Sequence, residues 1–172
     1  MKQLHSQFAR TLTALFILMI CALAISQAQE KKISPKKLPS AVLDAFHKAY
    51  PNATIKGASS EVEKGKVTYE IESVEGKVNR DLAYQEDGTC IEIEETLPVS
   101  ALPEEVSKAL TKEAGKGKVL KTEKITAGST VKYEFLISDG KTKREVVMDA
   151  TGKVTKTEMK KSKEGKEEKD ED

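Results

Sequence analysis

Two histidines and two cysteines are the chain's only imidazole and thiol groups, the side chains that most often ligate zinc or act as base and thiol nucleophile. His5 and Cys21 fall in an N-terminal segment that reads as removable, which leaves His47 and Cys90. Paired, they would make a thiol nucleophile with its base. That pairing needs a helix residue to meet a strand residue and a third group to orient the imidazole, and no such group is evident. One His and one Cys also fall short of the four ligands of a structural zinc. Glu92, Glu94 and Glu95 cluster on one strand, and carboxylates suit a hard cation such as calcium, but no Asp-rich loop accompanies them. No glycine-rich phosphate loop follows a strand, so nucleotide binding has no support. The residues therefore point away from catalysis, and no cofactor is expected.

Composition narrows the choice further. In 172 residues, 33% are charged, 5% are aromatic and none is Trp, so any core is thin and aliphatic. That suits small units with limited burial. The near-neutral balance lacks the basic stripe that nucleic acid requires.

Lys2 and Arg10 precede an apolar run from Leu12 to Ile25, followed by Ser26-Gln27-Ala28 with small residues at both ends. The run is short for a bilayer span and has the layout of a secretory signal, residues 1–28. A retained anchor is the alternative. Cys21 is not read as a lipidation site because bulky Ile20 precedes it. Cleavage would remove two of the 29 basic residues and none of the 28 acids, giving 27 − 28 = −1. It would leave Cys90 without a partner for an internal disulfide, no stable membrane span, and a periplasmic or secreted location.

The strongest signal is internal. Leu38-Pro39 recurs as Leu102-Pro103, and the offset of 64 pairs Val42 with Val106, Ala45 with Ala109 and Lys48 with Lys112. It also pairs Val67 with Val131, Tyr69-Glu70 with Tyr133-Glu134, and Gly76-Lys77 with Gly140-Lys141. Arg80/Arg144, Gly88/Gly152 and Glu94/Glu158 complete about 13 identities over roughly 57 positions without a gap. A fixed period of this size marks a repeat architecture.

Each copy parses alike. Pro at the helix entry is followed by apolar residues at helical spacing, Val42, Ala45, Phe46 and then Val106, Ala109, Leu110. Val67-Tyr69-Ile71 and Val131-Tyr133-Phe135 alternate with polar residues as half-buried antiparallel strands do. Glu75-Gly76, Asp139-Gly140, Asp87-Gly88 and Thr151-Gly152 mark turns. The expected fold is α+β: two tandem repeats, 38–97 and 98–159, each one helix packed on a roughly four-stranded antiparallel sheet. Residues 29–37 read as a basic linker, and 160–172 as a disordered charged tail.

If Val67, Tyr69 and Ile71 face the helix, Thr68, Glu70 and Glu72 face away. The second copy's outward set is Lys132, Glu134 and Leu136, with Lys143, Glu145 and Val147 on the next strand. An acidic half beside a mixed half with two apolar residues suits a partner-binding face, and an ordinary solvated sheet exterior is the plainer alternative.

A signal segment followed by tandem units that open Leu-Pro-x-x-Val, carry Tyr-Glu-Ile or Tyr-Glu-Phe before Gly-Lys, and close on an Asp-Gly or Thr-Gly hairpin resembles the PepSY-like proteins. Within them it is similar to the branch likened to beta-lactamase inhibitor proteins, over about residues 36–159. The resemblance implies an extracytoplasmic binding or inhibitor-like module with both sheets in one curved surface. No inhibitor contact residue is carried over, because this chain lacks their aromatic-rich loops and disulfides. The expected partner is another extracytoplasmic protein, possessed of a peptidase or other envelope activity that surface occlusion would restrain. Cation or small-ligand binding through Glu70, Glu72, Glu92 and Glu94 is the alternative.

Overall fold

The structure, a computed structural model, describes residues 30–63 and 65–160, so the segment read as a signal and the chain beyond Lys160 lie outside the described residues. Among the described residues two α-helices, α1 (Ser40–Ala49) and α2 (Glu104–Ala114), accompany nine strands. These are β1 (Lys31–Ile33), β2 (Thr54–Glu63), β3 (Lys66–Glu75), β4 (Val78–Gln85), β5 (Cys90–Thr96), β6 (Lys118–Ala127), β7 (Thr130–Ser138), β8 (Lys143–Asp149) and β9 (Val154–Lys160). All nine form one antiparallel sheet whose spatial order is the chain order.

The spacing of 64 governs the structure as well as the sequence. The short 3-10 turns begin at Pro35 and Val99, the helices at Ser40 and Glu104, β2 and β6 at Thr54 and Lys118, β5 and β9 at Cys90 and Val154. Irregularities recur too. A bulge between Ile55 and Gly57 returns between Val119 and Lys121, and one between Ala83 and Tyr84 returns between Val147 and Met148.

Each helix is amphipathic for the same reason, two apolar residues four apart on one face. Val42 and Phe46 of α1 are fully buried with Leu38 against Ile71, Leu82 and Tyr84. Val106 and Leu110 of α2 are buried with Leu102 against Tyr133, Phe135, Val146 and Met148. Each Arg of the recurring pair Arg80/Arg144 secures a helix end. Arg80 lies 4.8 Å over the ring of Tyr50, which follows α1 directly, and Arg144 donates to both the carboxylate and the backbone carbonyl of Glu113 in α2.

The two halves do not form separate sheets. β5 and β6 pair from Ile93↔Thr126 to Thr96↔Glu123, joining them edge to edge. The row Ile71–Leu82–Ile93–Thr126–Val131 crosses this seam on one side, and its end members belong to the two cores. Both helices therefore cover the same side of the sheet. On that side Glu95 bridges the seam, 3.4 Å from Arg80 and 3.5 Å from Lys124.

The reading of residues 29–37 as a linker is corrected over three of them: Lys31–Ile33 forms β1 against Ser60–Ala58 of β2. Three residues carry no periodic signal. They are recruited because an unpaired edge of β2 offers its ladder groups and because Ile33 packs against the first core. Lys160, placed at the head of the tail, closes β9.

Candidate functional site

The side of the sheet opposite the helices carries the residues singled out from sequence. Thr68, Glu70 and Glu72 of β3, Lys132, Glu134 and Leu136 of β7, and Lys143, Glu145 and Val147 of β8 all occupy it, because they alternate with residues of the two cores. Two rows cross it. One runs Glu72–Asp81–Glu94–Ile125–Lys132 and the other Thr96–Glu123–Glu134–Val147–Lys156. The continuous sheet thus brings acids of the first half beside acids of the second.

Their exposure differs from the sequence reading. Glu72, Lys132 and Lys143 are exposed, and Thr68, Glu70, Glu134, Leu136 and Glu145 are half-buried. Val147 is 7% exposed, so it is a buried member of the face and not an apolar contact. Its register neighbours Glu134 and Lys156 have side chains long enough to fold over a short branched one.

The densest chemistry lies at the seam. Carboxylate oxygens of Asp81 (β4), Glu94 (β5) and Glu123 (β6) come within 4.8 Å of one another. Glu123 is 5% exposed and is held by Lys121, whose Nζ lies 2.6 Å from Oε1. Burial raises Glu94, and neighbouring Glu134, Glu123, Glu92 and Asp81 add to it, so its carboxyl is pushed up to about 7. Asp81 is raised by burial against the opposing pull of Lys121. Glu134 is raised by burial and by Glu145. Burial also raises Glu70, partly offset by the Ser59 hydroxyl donating to its carboxylate at 3.2 Å. Crowded carboxylates that resist ionisation form a strong attractor for positive charge.

Sequence reasoning found Glu94 and missed Asp81 and Glu123. Asp81 was within reach. The Gly76 turn fixes the β3–β4 register and sets Asp81 opposite Glu72. Glu123 was not, since its place depends on β6 joining β5 across 21 intervening residues (118 − 96 − 1) that include a helix.

The other candidates behave as plain structure. His47 is exposed on α1 with its ring edge-on to Phe46, centroids 5.4 Å apart. The Cys90 thiol contacts the Glu92 carbonyl at 3.5 Å, and burial raises it, which keeps it protonated at neutral pH and poorly nucleophilic. Among the described residues no helix is long and apolar enough to cross a membrane.

A family model described as beta-lactamase-inhibitor-like, PepSY-like matches residues 25–92 and, a second time, 73–156. The chain belongs to that PepSY-like family. The resemblance carried by the Leu-Pro and Tyr-Glu motifs is thereby established. Solved structures similar to this PepSY-like chain share its fold. A Bacteroides eggerthii protein described as periplasmic is 17% identical, with a TM-score of 0.60 over 70% of this chain and 88% of its own. A BLIP-like protein from Bacteroides fragilis is 20% identical, TM-score 0.55, over 70% and 86%. A DUF2874 family protein from Bacteroides ovatus is 15% identical, TM-score 0.57, over 70% and 86%. At these identities the likeness is one of fold alone. No curated protein matches the chain.

Proposed function

We propose that this protein is an exported, non-catalytic module of two copies, 38–97 and 98–159, that seats another extracytoplasmic protein on its open sheet face and acts by occluding that partner's surface. One observation carries the reading. Both helices pack on the opposite side, so β2 to β9 present an uninterrupted face across both halves. An antiparallel sheet commonly leaves one face to solvent. Here the seam makes that face continuous across both halves and sets acids of the first beside acids of the second, which fits the interface of a partner of opposite charge. Export is supported by the signal-like N-terminus and by the periplasmic description of the Bacteroides eggerthii neighbour. Absence of turnover is supported by the exposed His47, the raised thiol of Cys90 and an enzyme-inhibitor-like family. Affinity capture from an envelope extract tests this. A partner retained by the native chain and lost when Glu72→Lys and Glu94→Lys are combined is the expected result; no enriched partner under mild salt counts against it.

A second reading rests on Asp81, Glu94 and Glu123. Three carboxylates from adjacent strands could hold a hard divalent cation, which favours oxygen ligands. This revises the sequence-derived set of Glu70, Glu72, Glu92 and Glu94, of which only Glu94 belongs to the cluster. Calcium that binds the native state must raise the melting temperature. An unchanged melting curve at millimolar calcium ends this reading.

A further inference from the structure

Among the described residues, the last strand of the sheet, β9, has a neighbour on one side only. All seven of its residues are exposed, including Val154 at 38% and Met159 at 62%, so α2 does not reach over it. Such an edge offers unpaired backbone groups, and proteins commonly protect it with lysines. Lys156 and Lys160 serve that purpose here, but Glu158 sits between them on the same side.

We propose that two copies of the chain pair through β9, antiparallel about Thr157, as a closed twofold dimer with one continuous sheet. The charges select this register. A twofold axis perpendicular to the sheet keeps both open faces on the same side and requires residues of like orientation to meet. Centred on Thr157, Lys156 of each copy lies opposite Glu158 of the other, twice. Centred one residue earlier, Lys156 meets Lys156. Centred one residue later, Glu158 meets Glu158 and Lys156 meets Lys160. Directly opposed unlike charges stabilise a cross-strand pair and like charges destabilise it.

The other edge does not compete. β1 is three residues long and contains Lys31 and Lys32, so it offers a short, basic ladder to a strand already rich in lysine. Head-to-tail addition, which would build filaments, is thereby disfavoured, while the isologous β9 contact consumes its own edge and closes. The exposed Val154 and Met159 project on the helix side of β9, flanking the same twofold axis. The dimer requires nothing of the open face's ligand. Its consequence is that two such faces would lie side by side on one surface, so a partner with two epitopes would gain avidity.

The test uses the full chain, with any processing the producing cell performs. Sedimentation or light scattering over a concentration series should show monomer passing to dimer. Hydrogen exchange at the dimer concentrations should slow at the amides around Thr157. Glu158→Lys, which sets lysines opposite one another, should weaken dimerisation at least about tenfold. Lys156→Glu should do the same. Combining Lys156→Glu with Glu158→Lys restores the unlike pairs and should restore the dimer. A mass that stays monomeric at every concentration overturns the proposal. A dimer that ignores either single charge reversal, or that the double exchange fails to recover, overturns it equally.

Discussion

Gly88 lies so close to Ala41 that a Cβ on the glycine would come within 2.5 Å of that residue's backbone carbonyl oxygen. Gly152 stands in the same relation to Glu105, at 2.7 Å. In each half the turn before the last strand is thus pressed against the start of the helix, and this contact fixes the helix over its sheet. Both glycines also have positive φ, 85° and 83°.

Gly88→Ala and Gly152→Ala should therefore cost about 2 kcal/mol or more each, combining backbone strain with a clash against main chain. Gly76 has φ 60° but nothing within 4 Å of its would-be Cβ. Gly76→Ala should cost about 1 kcal/mol, the strain alone. Denaturant unfolding of the three variants reads the difference; equal losses would refute the close-contact argument.

How much of this was legible in the sequence follows from what each feature depends on. The helices, the turns at Gly76, Gly88, Gly140 and Gly152 and the alternation of β3 and β7 are local patterns, and the offset of 64 doubled each signal. The outward placement of Thr68, Glu70 and Glu72 follows from alternation alone. The burial of Val147 does not, because exposure on an open face depends on neighbouring long side chains. Nor does the seam. β5 and β6 join through backbone ladder groups that any residue carries, and the meeting of Asp81 and Glu94 with Glu123 is a consequence of that join.

The seam has its own test. Glu95 lies between Arg80 and Lys124, and Arg80, with its side chain 14% exposed, has a buried Nε that makes no hydrogen bond despite the carboxylate 3.4 Å away. Removing the carboxylate leaves a guanidinium that only Glu75, at 2.9 Å, still balances. Glu95→Ala should destabilise the fold by about 1–3 kcal/mol. Since Glu95 also reaches Lys124 across the seam, the loss should appear as broader or two-step unfolding. A sharp transition with unchanged midpoint would show that the ladder alone joins them.

Stability should depend on pH through the open face. Glu94 ionises near 4.5 unfolded and about 7 folded, so the folded state holds its proton more tightly. As pH falls from above 7 towards 4.5, the folded state gains a proton that the unfolded state has not yet taken, and stability rises. Asp87, Asp139 and Asp149 act oppositely. Backbone amides in their turns hold Asp87 and Asp139 below 3.8, and the Thr151 hydroxyl with the Thr151 amide holds Asp149 there, so stability falls as pH drops through their folded values. The melting temperature should peak in mildly acidic solution. Glu94→Gln should flatten the limb above pH 4.5 and stabilise the protein near neutral pH by on the order of 1 kcal/mol, with solvent screening allowed for. A maximum at alkaline pH would contradict the burial of these acids.

The last prediction separates binding from folding. Glu72 is exposed, and Glu94 is held in a repulsive cluster, so neither contributes an attraction that the fold requires. Reversing both should leave the melting temperature unchanged or higher while removing whatever the acidic rows attract. Lys48 of α1 is exposed on the helix side and is not part of either row. Lys48→Glu alters net charge without touching the open face, and should leave capture intact. Retention of the partner at increasing salt distinguishes the two effects, because exposed charge attraction is screened within a Debye length of about 10 Å at 0.1 M ionic strength. If Lys48→Glu instead strengthened capture, as a more negative chain would under attraction by overall charge, the interaction would follow net charge, and the sheet face would lose its claim to be the binding surface.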